Sequence, residues 1–301
     1  MILQALKEYY DRKAADPDSD VAPDGWIWQR IDYEIIIDKD GNFIQLNNKR
    51  ENNLGFPTMV PNIGKQASKH NNSGKDANLL WDKPGFVLGI GKNGKTKLDS
   101  FIETIDFWFD NRQDLAVDAV RKFLLAGKTT PTKFSPILNH PDVGQEIQKG
   151  RGNITFKLIG DDRFIFEKPS VKDIISTAAD TKDRLACSVC LVTGNNSSPI
   201  VDCHRVIKGL YGAKKDPNLV SFNEEAFCSF GKLKSYNAPV SKKAVDAYTE
   251  SLSRLMRSNQ KIRLETQQRF SGQKNHHPWK TIHFTFFQTP RKTIRIATQR
   301  L

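Results

Sequence analysis

The sequence predicts an α+β fold of antiparallel hairpins with segregated amphipathic helices, and not a doubly wound sheet. Three observations carry this reading. Stretches rich in β-branched and aromatic residues flank short Gly/Asp turns at 39–41 and 160–162, as in hairpins. Five stretches carry apolar residues at helical spacing. Strands and helices do not alternate as the crossover units of a parallel sheet require.

Ile2, Leu6 and Tyr9, with Leu3 and Tyr10 alongside, space a helix over 2–15, which Asp16-Pro17-Asp18-Ser19-Asp20 ends. Ile31–Asp38, the turn Lys39-Asp40-Gly41 and Asn42–Leu46 make the clearest hairpin. From Asn47 to Asn78 the chain is polar, with Gly, Pro, Asn and Lys throughout; a loop of that length is more often functional than idle. Phe86-Val87-Leu88-Gly89-Ile90 reads as a short buried strand. Leu98, Phe101, Ile102, Ile105, Trp108 and Phe109 mark one helix, and Ala116, Val120, Phe123 and Leu124 a second that Gly127 stops. Asn153–Ile159 and Arg163–Glu167 predict a second hairpin across Gly160-Asp161-Asp162. Ser170 is expected to cap a helix through Ala179, with Asp173 completing a capping box. Short strands are expected at Val189–Val192, Ile200–Val201 and Leu219–Phe222. Ser241 caps a last helix with Ala244, Val245, Tyr248, Leu252, Leu255 and Met256 on its apolar face. The Thr-, Pro- and Gly-rich stretch Gly127–Lys149 suggests a boundary between an N-terminal region, 1–127, and a second α+β region, 128–264.

The 301 residues are 38% hydrophobic and 27% charged, a globular balance and not that of a disordered or membrane chain. No apolar run approaches the ~20 residues of a membrane span, and the N-terminus lacks the basic-then-apolar pattern of a secretory signal. With only four cysteines, a reducing cytoplasm is the expected location. The net charge of +12 favours a polyanionic partner. Half of that excess lies between Glu265 and Leu301.

Gly89-Ile90-Gly91-Lys92-Asn93-Gly94-Lys95-Thr96 matches the phosphate-loop pattern, with Lys95 and Thr96 placed for phosphate and magnesium. A second strand ending in Asp, which a nucleotide hydrolase uses to hold its metal, is not found after residue 96. Phosphate-loop nucleotide binding by Gly89–Thr96 therefore stands as the alternative reading. Gly-x-Ser-x-Gly and His-Glu-x-x-His do not occur, and no enzymatic activity is expected. Cys187-x-x-Cys190 followed by Cys203-His204 is a partial zinc pattern. The adjacency of its second pair makes joint ligation awkward, so buried thiols are expected and neither a metal nor a cofactor.

Two segments have the composition of nucleic-acid contacts. Asn62–Asn78 holds Lys65, Lys69 and Lys75 among Asn71, Asn72, Ser73 and Asn78, with one acid. Lys neutralises phosphate, Asn and Ser hydrogen-bond base edges or sugars, and Gly lets backbone approach closely. Lys208, Lys214 and Lys215 lie near Tyr211 and Phe222, which suit packing on sugars or bases.

Several blocks then occur in an informative order. They are MILQAL-x-EYY, Ala22-Pro23-Asp24-Gly25, Ser73-Gly74, Asn78-x-Leu80-Trp81-Asp82 and Val87-Leu88-Gly89, followed by Cys190-Leu191-Val192-Thr193-Gly194, Pro199-Ile200, His204 and Ile207-Lys208-Gly209. Leu219-Val220-Ser221-Phe222-Asn223, Ala226-Phe227, Gly231-Lys232, Asn237-Ala238-Pro239-Val240-Ser241 and Ala247-Tyr248-Thr249 complete the series. Together they resemble the N-terminal part of the large subunit of subtype I-C CRISPR effector (Cascade) complexes, over residues 1 to about 264. Phe86 and Phe230 stand where the family usually has Tyr.

The resemblance implies a non-catalytic DNA-binding subunit that reads the motif flanking a double-stranded target and supports strand opening. It implies guide RNA reached through the complex, contacts with CRISPR backbone subunits, and a separately recruited helicase-nuclease, with no membrane partner. Composition and family blocks together select Lys65, Lys69, Asn71, Asn72, Ser73, Lys75 and Asn78 as DNA contacts, and Lys208, Lys214 and Lys215 as phosphate positioners. The resemblance is read as ending at Leu264. A family-like reading frame with one base missing encodes Glu265–Lys274, so residues 265–301 are expected to be an out-of-frame, disordered tail of a truncated chain.

Overall fold

A computed structural model describes residues 2–16, 18–63, 76–110, 112–180, 187–196, 198–207 and 217–258, and the backbone of strands in 261–264, 267–273, 281–288 and 294–299. The fold is α+β, with mostly antiparallel strands and no closed barrel among the described residues. The chain opens with α1 (Ile2–Ala14). It then forms a compact unit spanning Gly25–Lys182; Met1–Asp24 and Asp183–Leu301 make up the other unit. That division differs from the expected boundary at 127/128, which falls inside the first of these units.

In the Gly25–Lys182 unit, β1 (Trp26–Ile31) is followed by β2 (Tyr33–Ile37), β3 (Phe43–Asn48) and β4 (Phe56–Pro61). The β2–β3 pair is the expected hairpin, with a register shift between Ile36 and Ile37. Its turn is closed by the Asp38 carboxylate, which accepts from the backbone N–H groups of Asp40 and Asn42 and from the Asn42 amide. Gly41 has a φ of +81°, and a Cβ there would lie 2.7 Å from Lys122 Cβ, so conformation and space both require glycine. β4 pairs antiparallel with β1 inside the stretch expected to be loop. Pro57, Pro61 and their polar surroundings hid it, since proline counts against a strand.

After β4 come β5 (Trp81–Asp82), α2 (Pro84–Val87), α3 (Gly94–Phe109) and α4 (Leu115–Thr129). The expected strand at 86–90 is thus replaced by a single helical turn. Pro84 occupies its start, where a missing N–H costs nothing, and the chain leaves it through Gly89 at a φ of +65°. α3 and α4 bury the predicted apolar faces. The Asp114 carboxylate caps α4 by accepting from the backbone N–H groups of Ala116 and Val117. Gly127 does not stop α4; it lies beneath the Phe134 ring, whose Cζ would be 2.0 Å from an added Cβ.

Short helices α5 (Ser135–Leu138) and α6 (Gly144–Gln148) lead to β6 (Ile154–Leu158). The predicted second hairpin does not form. β6 pairs parallel with β2 and antiparallel with β5, giving the sheet order β3-β2-β6-β5. Ile165–Glu167 is instead a 3-10 turn, closed by the Glu167 carboxylate on the Phe164 N–H, with Ile165 and Phe166 fully buried. α7 (Pro169–Asp180) begins one residue before Ser170, whose hydroxyl donates to Asp114 and so does not cap its own helix. The unit's core joins Ile31, Tyr33, Ile35 and Ile37 to Phe101, Ile105, Phe123, Phe156 and Phe166.

In the other unit, β7 (Cys187–Ser188) and β8 (Ser198–Pro199) form a minimal antiparallel pair. The expected strands at 189–192 and 219–222 are turns and irregular chain, and Ile200 makes only an isolated bridge, to Ser241. Ser241 caps α8 (Lys242–Arg257) as predicted, its hydroxyl accepting from the Ala244 N–H at 3.3 Å. α8 packs on α1: Ser251 Oγ donates to the Leu6 carbonyl at 2.8 Å, and Leu6 and Tyr9 share a core with Tyr248, Leu252 and Leu255. β9 (Lys261–Leu264), β10 (Gln267–Gln273), β11 (Thr281–Gln288) and β12 (Ile294–Gln299) follow as an antiparallel meander. Three of these strands lie where the sequence reading expects a disordered tail. Their alternation of polar with β-branched and aromatic residues, as in TIHFTFFQ, suits strands.

Candidate nucleic-acid interface

Of the ten DNA-contact candidates, Lys65, Lys69, Asn71, Asn72, Ser73, Lys75, Lys208, Lys214 and Lys215 lie outside the described residues. Asn78 is described, and so are the two stems that deliver the polar segment 64–75. One stem is the end of β4. The Asn62 N–H donates to the Gly25 carbonyl at 2.7 Å, and Asn62 and Ile63 are buried. The other stem, Asp76–Asp82, is buried throughout. Trp81 ties the stems together, its indole N–H donating to the Pro61 carbonyl at 2.8 Å.

The second stem folds around one carboxylate. Asp82 Oδ2 accepts from the Asn78 backbone N–H at 2.9 Å and from Asn78 Nδ2 at 3.2 Å, and Oδ1 accepts from the Lys83 N–H at 2.7 Å. These donors favour the ionised carboxyl. Burial opposes them and prevails, pushing the Asp82 pKa up to about 7. Leu80 adopts a φ of +60° inside this clip, and its carbonyl accepts from Thr155 Oγ1 at 3.0 Å. Leucine in the left-handed region is strained; here packing and hydrogen bonds on both sides hold it. Asn78 is therefore a structural clasp at the base of the segment. Trp81 and Asp82 are the residues that sequence reasoning left out as positioning groups. The signal for them was an aromatic-acid pair closing a polar stretch, whose meaning depends on burial that composition does not reveal.

Just ahead of the second predicted cluster in sequence, Arg205 is consumed by an ion pair with Asp246 at 3.0 Å. His204 is fully buried, with Nδ1 hydrogen-bonded to the Tyr248 hydroxyl and its carbonyl accepting from Asn218. This is a core histidine. Cys190 is buried and its Sγ accepts from the Ser241 N–H at 3.2 Å. Burial raises its pKa, but hydrogen bonds from Ser241 and Thr193 outweigh that and bring it down to about 7. Cys187 is exposed and Cys203 half-buried. Among the described residues no group of three or more His, Cys, Asp or Glu side chains is placed to hold a metal ion.

The phosphate-loop pattern lacks its structural context. A helical turn, not a strand, precedes it. The loop also closes on itself: the Gly94 N–H donates to the Gly91 carbonyl at 3.1 Å, and the Gly89 carbonyl packs against Gly94 so closely that an added Cβ would lie 2.0 Å from its oxygen. A phosphate cradle needs convergent, open N–H groups, whereas here a carbonyl fills the turn.

The β1–β4 pair and the buried Asp76–Asp82 clip thus flank the lysine- and asparagine-rich segment 64–75 in sequence. The family comparison gives the chain a class, CRISPR-associated protein. The model of the family described as "CRISPR-associated protein (Cas_Csd1)" matches residues 6–274, and the chain belongs to that family. The match runs past Leu264, where the sequence reading ends the resemblance. A search of curated proteins found no match. Among the described residues no helix is long and apolar enough to cross a membrane.

Proposed function

We propose that this chain is a non-catalytic, DNA-binding large subunit of a type I-C RNA-guided CRISPR surveillance complex. It reads the short motif flanking a double-stranded target and supports strand opening, while guide RNA pairing reads the sequence itself. RNA-guided effectors divide recognition in this way. The guide RNA is met through the complex, whose backbone subunits and recruited helicase-nuclease are the protein partners. The reading is carried by a family match over residues 6–274 that includes a polar segment with both ends clamped by buried stems. Clamped stems reduce the ordering entropy a contact loop loses on binding. Lys65, Lys69 and Lys75 supply phosphate neutralisation, and Asn71, Asn72 and Ser73 supply groove hydrogen bonds.

The triple substitution Lys65→Gln, Lys69→Gln, Lys75→Gln tests the electrostatic part. Each lost phosphate contact lowers the slope of log affinity against log salt by about 1. The triple variant is expected to lose about 3 from that slope and to bind duplex more weakly at every salt concentration. An unchanged slope in a salt titration contradicts the assignment.

A further inference from the structure

The chain carries an aromatic ring in a place its own fold does not explain. Phe230 is 98% exposed, the most exposed large apolar side chain among the described residues. It occupies the tip of a tight turn in which Ser229 and Lys232 bridge and the Lys232 N–H donates to the Ser229 carbonyl at 2.9 Å. Phe230 and Gly231 have φ values of +52° and +70°, the mark of a mirror-image hairpin turn. Asn or Asp fits the first of those positions well, whereas a bulky aromatic there is strained. The sequence thus keeps a phenylalanine where it is conformationally unfavourable and exposes its whole ring to water. Strain of this kind clusters at ligand clamps, active sites and switch regions.

The turn is also built to be stiff. Asn237 reaches back to it: Oδ1 accepts from the Ser229 N–H at 2.8 Å, and Nδ2 donates to the carbonyls of Lys232 and Lys234 at 2.8 and 2.9 Å. Lys234 is pinned to Asp202 at 2.6 Å, and the Ser235 N–H donates to the Asp202 carbonyl at 3.1 Å. A ring held this way loses little freedom on binding. Its neighbours on the tip are a glycine, with no side chain to block either ring face, and Lys232, which is exposed.

We propose that the Ser229–Lys232 turn is a nucleic-acid contact, in which the Phe230 ring stacks on an unpaired base, Lys232 neutralises an adjacent phosphate, and Asn237 positions the turn. The proposal rests on the DNA-binding reading above and adds a stacking site to it. Aromatic faces beside cations are the recurrent platform for unpaired bases. The exposed Phe227 and Leu233 nearby make a protein surface the competing outcome.

The test uses the full chain and two probes: a duplex, and the same duplex with three unpaired bases, one of them 2-aminopurine. Wild type is expected to bind both and to quench the 2-aminopurine. Phe230→Ala is expected to bind the unpaired probe about 5- to 150-fold more weakly, the range one stacked base supplies, and to leave it bright. It should bind the fully paired duplex as wild type does. Phe230→Trp is expected to restore quenching, and Asn237→Ala to reduce it. If Phe230→Ala binds and quenches like wild type, the stacking site is overturned, and all the more so if it instead loses binding to a complex subunit. If wild type binds neither probe, the DNA-binding reading itself fails.

Discussion

Replacing Asp82 by alanine is expected to lower the free energy of unfolding by about 3 kcal/mol or more, since a buried donor left without an acceptor costs about 1–3 kcal/mol. Three donors lose their acceptor at once: the backbone N–H groups of Asn78 and Lys83, and the Asn78 amide. All surround a carboxyl that is 3% exposed. Asp82→Asn separates charge from shape. With its pKa raised from 3.8 to about 7, wild-type Asp82 keeps its proton in the folded protein over a range where the unfolded chain has lost it. Its contribution to stability is therefore fully present below about pH 4 and is lost as pH rises through about 7. Asparagine does not titrate. Denaturant unfolding between pH 4.5 and 7.5 should show wild type losing stability relative to Asp82→Asn as pH rises. The opposite trend would mean that the three donors outweigh burial.

Gly94→Ala is expected to destabilise the protein by about 3 kcal/mol, the upper part of the range for overpacking a tight site. In an open helix the same change stabilises by about 1 kcal/mol, so the sign alone is diagnostic. The clash is with backbone, the Gly89 carbonyl at 2.0 Å from the new Cβ, and backbone cannot swing aside as a side chain can. Gly91→Ala is the control. Its surroundings are open and only its φ of +73° is unfavourable, so it should cost about 1–2 kcal/mol. A raised midpoint for Gly94→Ala would show that the turn is open, as a phosphate cradle would be.

Local signals were legible and distant ones were not. α3, α4 and α8 follow from apolar spacing, and Ser241 caps α8 as its sequence position predicts. The β2–β3 hairpin follows from its Asp-Gly turn. The run at 86–90 suits strand and helix alike, because a short apolar run does not separate the two by period; Pro84 decides it. Local sequence places β6 in a hairpin because its true partner, β2, is far away in sequence; Asp32 and Asn153 meet across 121 positions. The unit that joins α1 to α8 was hidden for the same reason. Composition and family blocks picked out the segment 62–78, but composition does not distinguish Asn78, which closes the stem, from the polar residues it presents.

That distinction shapes the most direct test. Lys65, Lys69, Asn71, Asn72, Ser73 and Lys75 are replaced together by alanine, with Asp76–Asp82 left intact so that the stems still fold. Binding of a reconstituted guide-loaded complex to duplex targets with and without the flanking motif is then measured. The account predicts that the substituted complex assembles normally but loses its preference for targets that carry the motif. Assembly with that preference intact would contradict it.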